Sequence, residues 1–142
     1  MTALVRWATV GPAVLDPAAL EAVVRQPAAG AVVTFSGVVR HLDGGRTVTG
    51  LEYEAHPEAG SRLLELLRDW SDAWPTALAV AVGHRVGRLA VGEVAFAASV
   101  AAAHRGEAFA ACAALVDLVK LDLPIWKLQH FGDGASEWVN LA

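Results

Sequence analysis

Each stretch of this chain that can be read as helix is closed by a proline, at Pro27, Pro75 and Pro124. A proline inside a helix removes a backbone hydrogen bond and disfavours helical geometry in the residue before it, so the fold has to be built from short helices with extended chain between them. The first helix opens at Asp16-Pro17, with the aspartate as cap and the proline in the first turn, and covers Ala18 to Arg25 before Pro27 and Gly30 stop it. The second spans Glu58 to about Trp74, where Leu63, Leu64, Leu66, Leu67 and Trp70 recur at helical spacing and Arg62, Glu65, Arg68 and Asp69 take the other side. The third runs from about Gly106 to Leu121, and Pro124 returns the chain to extended geometry.

The intervening segments have strand character. Arg6 to Val10 predicts a first strand, and Ala31 to Arg40 a second through Val32, Val33, Thr34, Phe35, Val38 and Val39, with Gly37 as a bulge or a point of close approach. Val48 to Ala55 alternates Leu51 and Tyr53 against Glu52 and Glu54 and is expected to pair with the second strand as a hairpin around Asp43-Gly44-Gly45. Leu78 to Val86 and Glu93 to Ala103 predict two strands joined around Gly87 to Gly92, and Ile125 to Phe131 with Ser136 to Asn140 a terminal hairpin across Gly132-Asp133-Gly134. The expectation is one α+β domain over residues 1–142, a sandwich of antiparallel or mixed sheet with helices mainly on one face.

With 55% hydrophobic and 18% charged residues the chain carries no disorder signature. A net charge of -4 argues against general nucleic-acid binding and makes any anion site a local cluster in an acidic background. The single cysteine, Cys112, leaves no internal disulfide or cysteine-based zinc site and fits a reducing compartment, so the cytoplasm is the expected location. Arg6, Gly11 and Pro12 interrupt the apolar stretch Met1 to Leu15, which therefore does not read as a signal peptide. The longest uncharged runs, Pro75 to Gly83 and Val94 to Ala103, fall short of the roughly 20 residues that span a bilayer. His41, His56, His84 and His130 show no metal-ligand spacing and read as surface or core histidines, and Cys112 as a core residue. Gly83-His84-Arg85-Val86-Gly87-Arg88 lacks the context of a phosphate-binding loop.

Only two of the eleven basic side chains are lysines, and both lie in Lys120-Leu121-Asp122-Leu123-Pro124-Ile125-Trp126-Lys127. Lysine can give up its proton in a desolvated or cation-crowded site, whereas arginine stays charged, so this tract is the first place to look for acid, base or nucleophile chemistry. A surface charge near a helix end is the plainer alternative for Lys120. Lys127 follows Trp126 in a strand, so if Trp126 faces the core, Lys127 faces solvent or a cleft. His104-Arg105, where a strand gives way to the third helix, and Arg40, at the end of the second strand beside a glycine-rich loop, are either anion contacts or solvated cations.

Taken in order, several segments resemble the large, catalytic subunit of molybdopterin synthase. They are Gly30-Ala-Val-Val-Thr-Phe-Ser-Gly-Val-Val-Arg40, Leu51-Glu-Tyr-Glu-Ala55, His84-Arg-Val-Gly-Arg-Leu-Ala-Val-Gly-Glu93, Ala103-His-Arg-Gly-Glu-Ala-Phe109 and the lysine tract itself. The resemblance, from about Gly30 to Val139, implies an α/β hammerhead fold and a homodimer within a heterotetramer. A small ubiquitin-like sulfur carrier would sit at each end and insert its C-terminal glycine thiocarboxylate. It implies delivery of two sulfurs to cyclic pyranopterin monophosphate, giving the dithiolene of molybdopterin, with no metal or redox cofactor. Residue by residue, it implies substrate contacts at Val38, Val39, Arg40, His104, Arg105, Leu128 and Gln129. Lys120 would be the acid or base at the acyl sulfur, and Lys127 would be catalytic and hold the pterin or phosphate.

Two departures stand out. Leu128 and Gln129 follow Trp126-Lys127 where the family usually shows another basic residue and then a glutamate, and the chain stops at Ala142, so tail contacts across a dimer are expected to be missing. The first departure keeps open a homologue that binds without turnover, and Lys120 keeps open a lyase acting through a Schiff base.

Overall fold

The structure, a computed structural model, describes residues 3–140. Residues 1, 2, 141 and 142 lie outside the described residues, and with them part of the expectations about the leader and the tail. In chain order the elements are β1 (Leu4–Gly11), α1 (Pro17–Val24), β2 (Ala31–Val38), β3 (Leu42–Asp43), β4 (Arg46–Ala55), α2 (Ala59–Ala73), β5 (Ala77–Arg85), β6 (Gly87–Ala90), β7 (Val94–Ala102), α3 (Arg105–Asp122), β8 (Ile125–Phe131) and β9 (Ser136–Asn140). Asp16 caps α1 as its sequence predicts, with Oδ1 accepting from the Ala18 N–H at 3.1 Å.

Four strands form the central sheet in the order β1-β5-β7-β2. β1 runs parallel to β5, and the other two pairings are antiparallel, so the sheet is mixed. Its interior strands are dense in alanine, which lets helices approach closely. On one face Leu20 and Val24 of α1 pack on Ala79, Ala81, Ala97 and Ala101. On the other, Leu63, Leu66, Leu67 and Trp70 of α2 and Leu115 and Val119 of α3 meet Val80, Val82, Ala98 and Val100. The Trp70 indole N–H donates to the Ala111 carbonyl at 2.8 Å and ties α2 to α3. Two helices on one face and one on the other agree with the expected sandwich. Truncating a side chain as buried as Leu66, 1% exposed, to alanine costs about 2–5 kcal/mol.

The second sheet is built around β4, which pairs with β8 along one edge and with β3 and then β6 along the other, while β9 extends β8. This corrects the expected hairpin of the second strand with Val48 to Ala55. β2 pairs with β7, and the turn at Gly44 and Gly45, both at positive φ, instead joins the two-residue β3 to β4. The alternation in Leu51 to Glu54 specified a half-buried strand but not its partner, because any neighbour offering the same hydrogen-bonding edge satisfies it. The small strand β6, inside the connection from Gly87 to Gly92, was likewise not anticipated. The terminal hairpin β8–β9 and the β5–β7 pair are as expected.

Two bulges lie where the sheets meet. Between Gly37 and Val38 the β2–β7 register shifts, leaving Ala95 as an extra residue, and between Val48 and Gly50 the β4–β8 register shifts, leaving Thr49 extra. Val39, Leu51, Leu89 and Ala95 form a separate small core there, with Tyr53 against it. No helix among the described residues is long and apolar enough to cross a membrane.

Candidate active site

A cavity of about 350 Å³ opens between the two sheets, a size suited to a small-molecule ligand. Two stretches of chain far apart in sequence supply its cations. Arg40 follows β2, Lys120 stands in the last turn of α3, and Lys127 lies on β8; all three line the cavity. Val38, Val39 and Gln129 line it too.

Strand register explains which side chains reach it. Tyr53 of β4 pairs with Lys127 of β8 and Leu51 with Gln129, so these four share the cavity face, and Gln129 is buried. Trp126 and Leu128 alternate to the opposite face, where Trp126 is exposed. Trp126 therefore does not face the core, yet Lys127 still turns into a cleft. The Leu128 side chain is not brought to the site.

The segment carrying Arg40 is pinned by its neighbour. The Val39 N–H donates to the Glu93 carbonyl at 3.0 Å, and the Gly92 N–H donates to the Val39 carbonyl at 2.8 Å. The Glu93 carboxylate holds that turn by accepting from the Ala90 N–H and from Arg85, and both bonds hold it below the usual carboxylate range. Arg40 itself is exposed, with Asp43 at 3.9 Å.

Partial burial lowers the Lys127 pKa from its ordinary value, Asp43 opposes the shift, and the Lys120 and Arg40 charges add to it. A cation short of water and close to two others is suited to receive an anion. Burial also pushes the Tyr53 phenol up to about 12, so it keeps its proton.

His104 and Arg105 are elsewhere. They start α3 beside Gly30 and Ala103, around a shallow depression at the other end of the central sheet. Ala31 of β2 pairs with Ala102 there, whereas Val38 pairs with Val94 at the cavity end. Eight strand residues at roughly 3.3 Å each put about 25 Å between the two places. Within one chain, the structure brings together Val38, Val39, Arg40, Lys120, Lys127 and Gln129, and leaves out His104, Arg105 and the Leu128 side chain.

Sequence reasoning missed His84 and Tyr53, both of which line the cavity. The signal for Tyr53 was its inward phase in the β4 alternation. For His84 it was a lone polar side chain in an otherwise apolar strand. Among the described residues no three His, Cys, Asp or Glu side chains come together to hold a metal ion.

Comparison with known proteins identifies the family. The family described as "MoaE protein" matches residues 10–122. The molybdopterin synthase catalytic subunit of Nostoc sp. is 40% identical over 123 residues, covering 86% of this chain and 74% of that protein. Molybdopterin synthase catalytic subunit 1 of Mycobacterium tuberculosis is 39% identical over 118 residues, covering 83% and 80%. The crystal structure of molybdopterin synthase from Staphylococcus aureus superposes with a TM-score of 0.85 at 28% identity, covering 95% of this chain and 97% of that one.

Proposed function

Because this chain belongs to the MoaE family, we propose that its cavity is the place where molybdopterin is made, with cyclic pyranopterin monophosphate bound among Arg40, Lys120 and Lys127. The observation that carries this reading is the convergence of those three cations, from three separate elements, on one cavity in a chain of net charge -4. Fixed cations hold the cyclic phosphate and stabilise the charge that develops on its leaving oxygen as the ring opens. The sulfur arrives as the C-terminal thiocarboxylate of a ubiquitin-like carrier threaded into the cavity, and Lys120 acts as acid or base at the acyl sulfur. Lys127 holds the pterin or its phosphate, and Gln129, Val38 and Val39 shape the wall. The whole chain acts as one domain, in the cytoplasm.

His104 and Arg105 enter this scheme from a second copy. Their separation of about 25 Å from the cavity within one chain supports that arrangement. So does β2, an edge strand of the central sheet, flanked by a groove of Val33, Phe35, Phe109, Ala113 and Val116 in which Phe109 is 62% exposed. A homodimer built on this flank, with a carrier at each end, is the heterotetramer we propose.

The test is reconstitution of the purified chain with thiocarboxylated carrier and cyclic pyranopterin monophosphate. Dithiolene product from the wild type and none from Lys120→Ala is the expected result. Absence of product, or near-normal turnover by the variant, overturns the reading.

A further inference from the structure

His84 sits near the end of β5, a strand whose other buried side chains are alanine and valine, and it is 3% exposed. Packing alone does not call for an imidazole there. The ring stacks on Phe96 at 5.5 Å between centroids, with Tyr53 edge-on at 4.9 Å, an arrangement a phenylalanine would satisfy equally well.

The two ring nitrogens have different surroundings. Nδ1 lies 2.9 Å from the Arg85 carbonyl oxygen, which can only accept, so Nδ1 carries the proton and Nε2 of the neutral ring offers a lone pair. His84 lines the cavity, and among the described residues the only buried side-chain nitrogen or oxygen left without a partner is His130 Nε2. The one side-chain hydrogen bond His84 makes is through Nδ1, which leaves Nε2 available to a group in the cavity.

Lys120 lines the same cavity, and in this conformation no hydrogen bond joins its ammonium to the ring. Burial, reinforced by the Lys120 charge, depresses the imidazole pKa to about 4, so at neutral pH the ring adds no positive charge to the site. Of the cavity's other titratable groups, Tyr53, Lys127 and Arg40 are donors, and the Asp43 carboxylate lies 3.9 Å from Arg40. A fixed, neutral acceptor among flexible cations has one evident use.

We propose that His84 is a positioning residue for Lys120: when the Lys120 stem swings toward the ring, its ammonium donates a hydrogen bond to Nε2, which then holds that group over the cavity. Lysine has a long, freely rotating stem, and its Nζ can be offered to a reacting sulfur reproducibly only if something rigid holds it. The imidazole is rigid because the Arg85 carbonyl fixes its tautomer and Phe96 and Tyr53 fix its plane. The proposal rests on the role of Lys120 given above.

Three substitutions in the full chain separate the parts. His84→Phe keeps the stacking and loses both nitrogens. His84→Asn keeps a donor toward the Arg85 carbonyl but does not reach the Nε2 position, and His84→Gln places an amide oxygen near it. In single-turnover reconstitution His84→Phe and His84→Asn should be slower by about tenfold or more with little change in KM, and His84→Gln should recover most of the rate. Acetylation of Lys120 by acetic anhydride, read by peptide mass spectrometry, should be about threefold faster or more in His84→Phe and His84→Asn, and near the wild-type rate in His84→Gln. A folded His84→Phe or His84→Asn with wild-type turnover and wild-type acetylation overturns the proposal, as does a His84→Gln that behaves like His84→Asn in both. If the wild type gives no dithiolene product, the functional reading fails while the acetylation contrast still decides whether His84 holds Lys120.

Discussion

Two groups of cations in this molecule invite comparison. His104 and Arg105 are adjacent in sequence, exposed, and lie at the start of a helix; Arg40, Lys120 and Lys127 are spread over nearly ninety positions of chain and share one cavity. Adjacency gave the first pair a recognisable motif but no enclosure. The fold gave the second group a shared cavity, in which Lys127 is partly desolvated and a buried acceptor, His84, and a neutral donor, Tyr53, stand beside the cations. A binding site is defined by what limits water around it, and a cationic pair in the open needs another surface to complete it.

The largest test of that contrast is Lys120→Ala. Loss of a general acid or base is worth about 100- to 10,000-fold, and since Lys120 is exposed, thermal unfolding should stay unchanged while single-turnover rates fall by that factor. Wild-type rates would remove the distinction between the two groups.

Enclosure should also show in acid. Burial depresses His84 from 6.5 to about 4, so between those values the unfolded chain binds a proton that the folded chain refuses. Its contribution to stability is whole above pH 6.5 and is lost as pH falls toward 4, by about 3 kcal/mol at most. Denaturant titrations at pH 7 and pH 4.5 should show this loss in the wild type and a smaller one in His84→Phe; equal losses would contradict it.

The exposed pair is tested by complementation. Arg105→Ala should slow turnover about tenfold, the value of one charge-assisted contact. Mixing Lys120→Ala with Arg105→Ala chains, after exchange of subunits, should restore about a quarter of wild-type activity, because half the dimers are hybrids with one intact site each. No recovery would mean that the pair does not complete its neighbour's cavity.

The smallest effect concerns the alkaline limb. Since the Lys127 pKa is lowered, its charge is lost at lower pH than that of an ordinary lysine, and affinity for the cyclic phosphate should weaken early as pH rises. Lys127→Arg should move that limb to higher pH, as measured by calorimetric titration with substrate; an unmoved limb would detach Lys127 from the anion.

Much of the fold was legible because its signals are local. Asp16-Pro17 caps α1 through its own side chain, Leu63, Leu66, Leu67 and Trp70 of α2 are buried as their spacing marks while Leu64 of the same expected face is exposed, and Pro124 ends α3 and starts β8. The partner of β4 was not legible, since β-sheet pairing is settled by contacts between segments distant in sequence. The site followed the same division. The lysine tract and Arg40 stood out by residue type and position, but His84 looked like any histidine in an apolar strand until Phe96, Tyr53 and Lys120 were brought around it. The distance between Arg105 and Arg40 also depends on which strands pair.

The bulge at Thr49 has a consequence for how this gene can change. Val48, Leu51 and Tyr53 all line the cavity, although 48 and 51 differ by an odd number and simple alternation would set them on opposite faces. The extra residue restores the count, keeping Val48 opposite Phe131 while Leu51 meets Gln129 and Tyr53 meets Lys127. The Thr49 hydroxyl does no more than donate to the His130 carbonyl at 3.2 Å, so many residues could stand there. A codon deletion is different: it would rotate one half of the strand out of phase, carrying either Val48 or Leu51 and Tyr53 to the outer surface. At this position the fold requires a number more strictly than a letter.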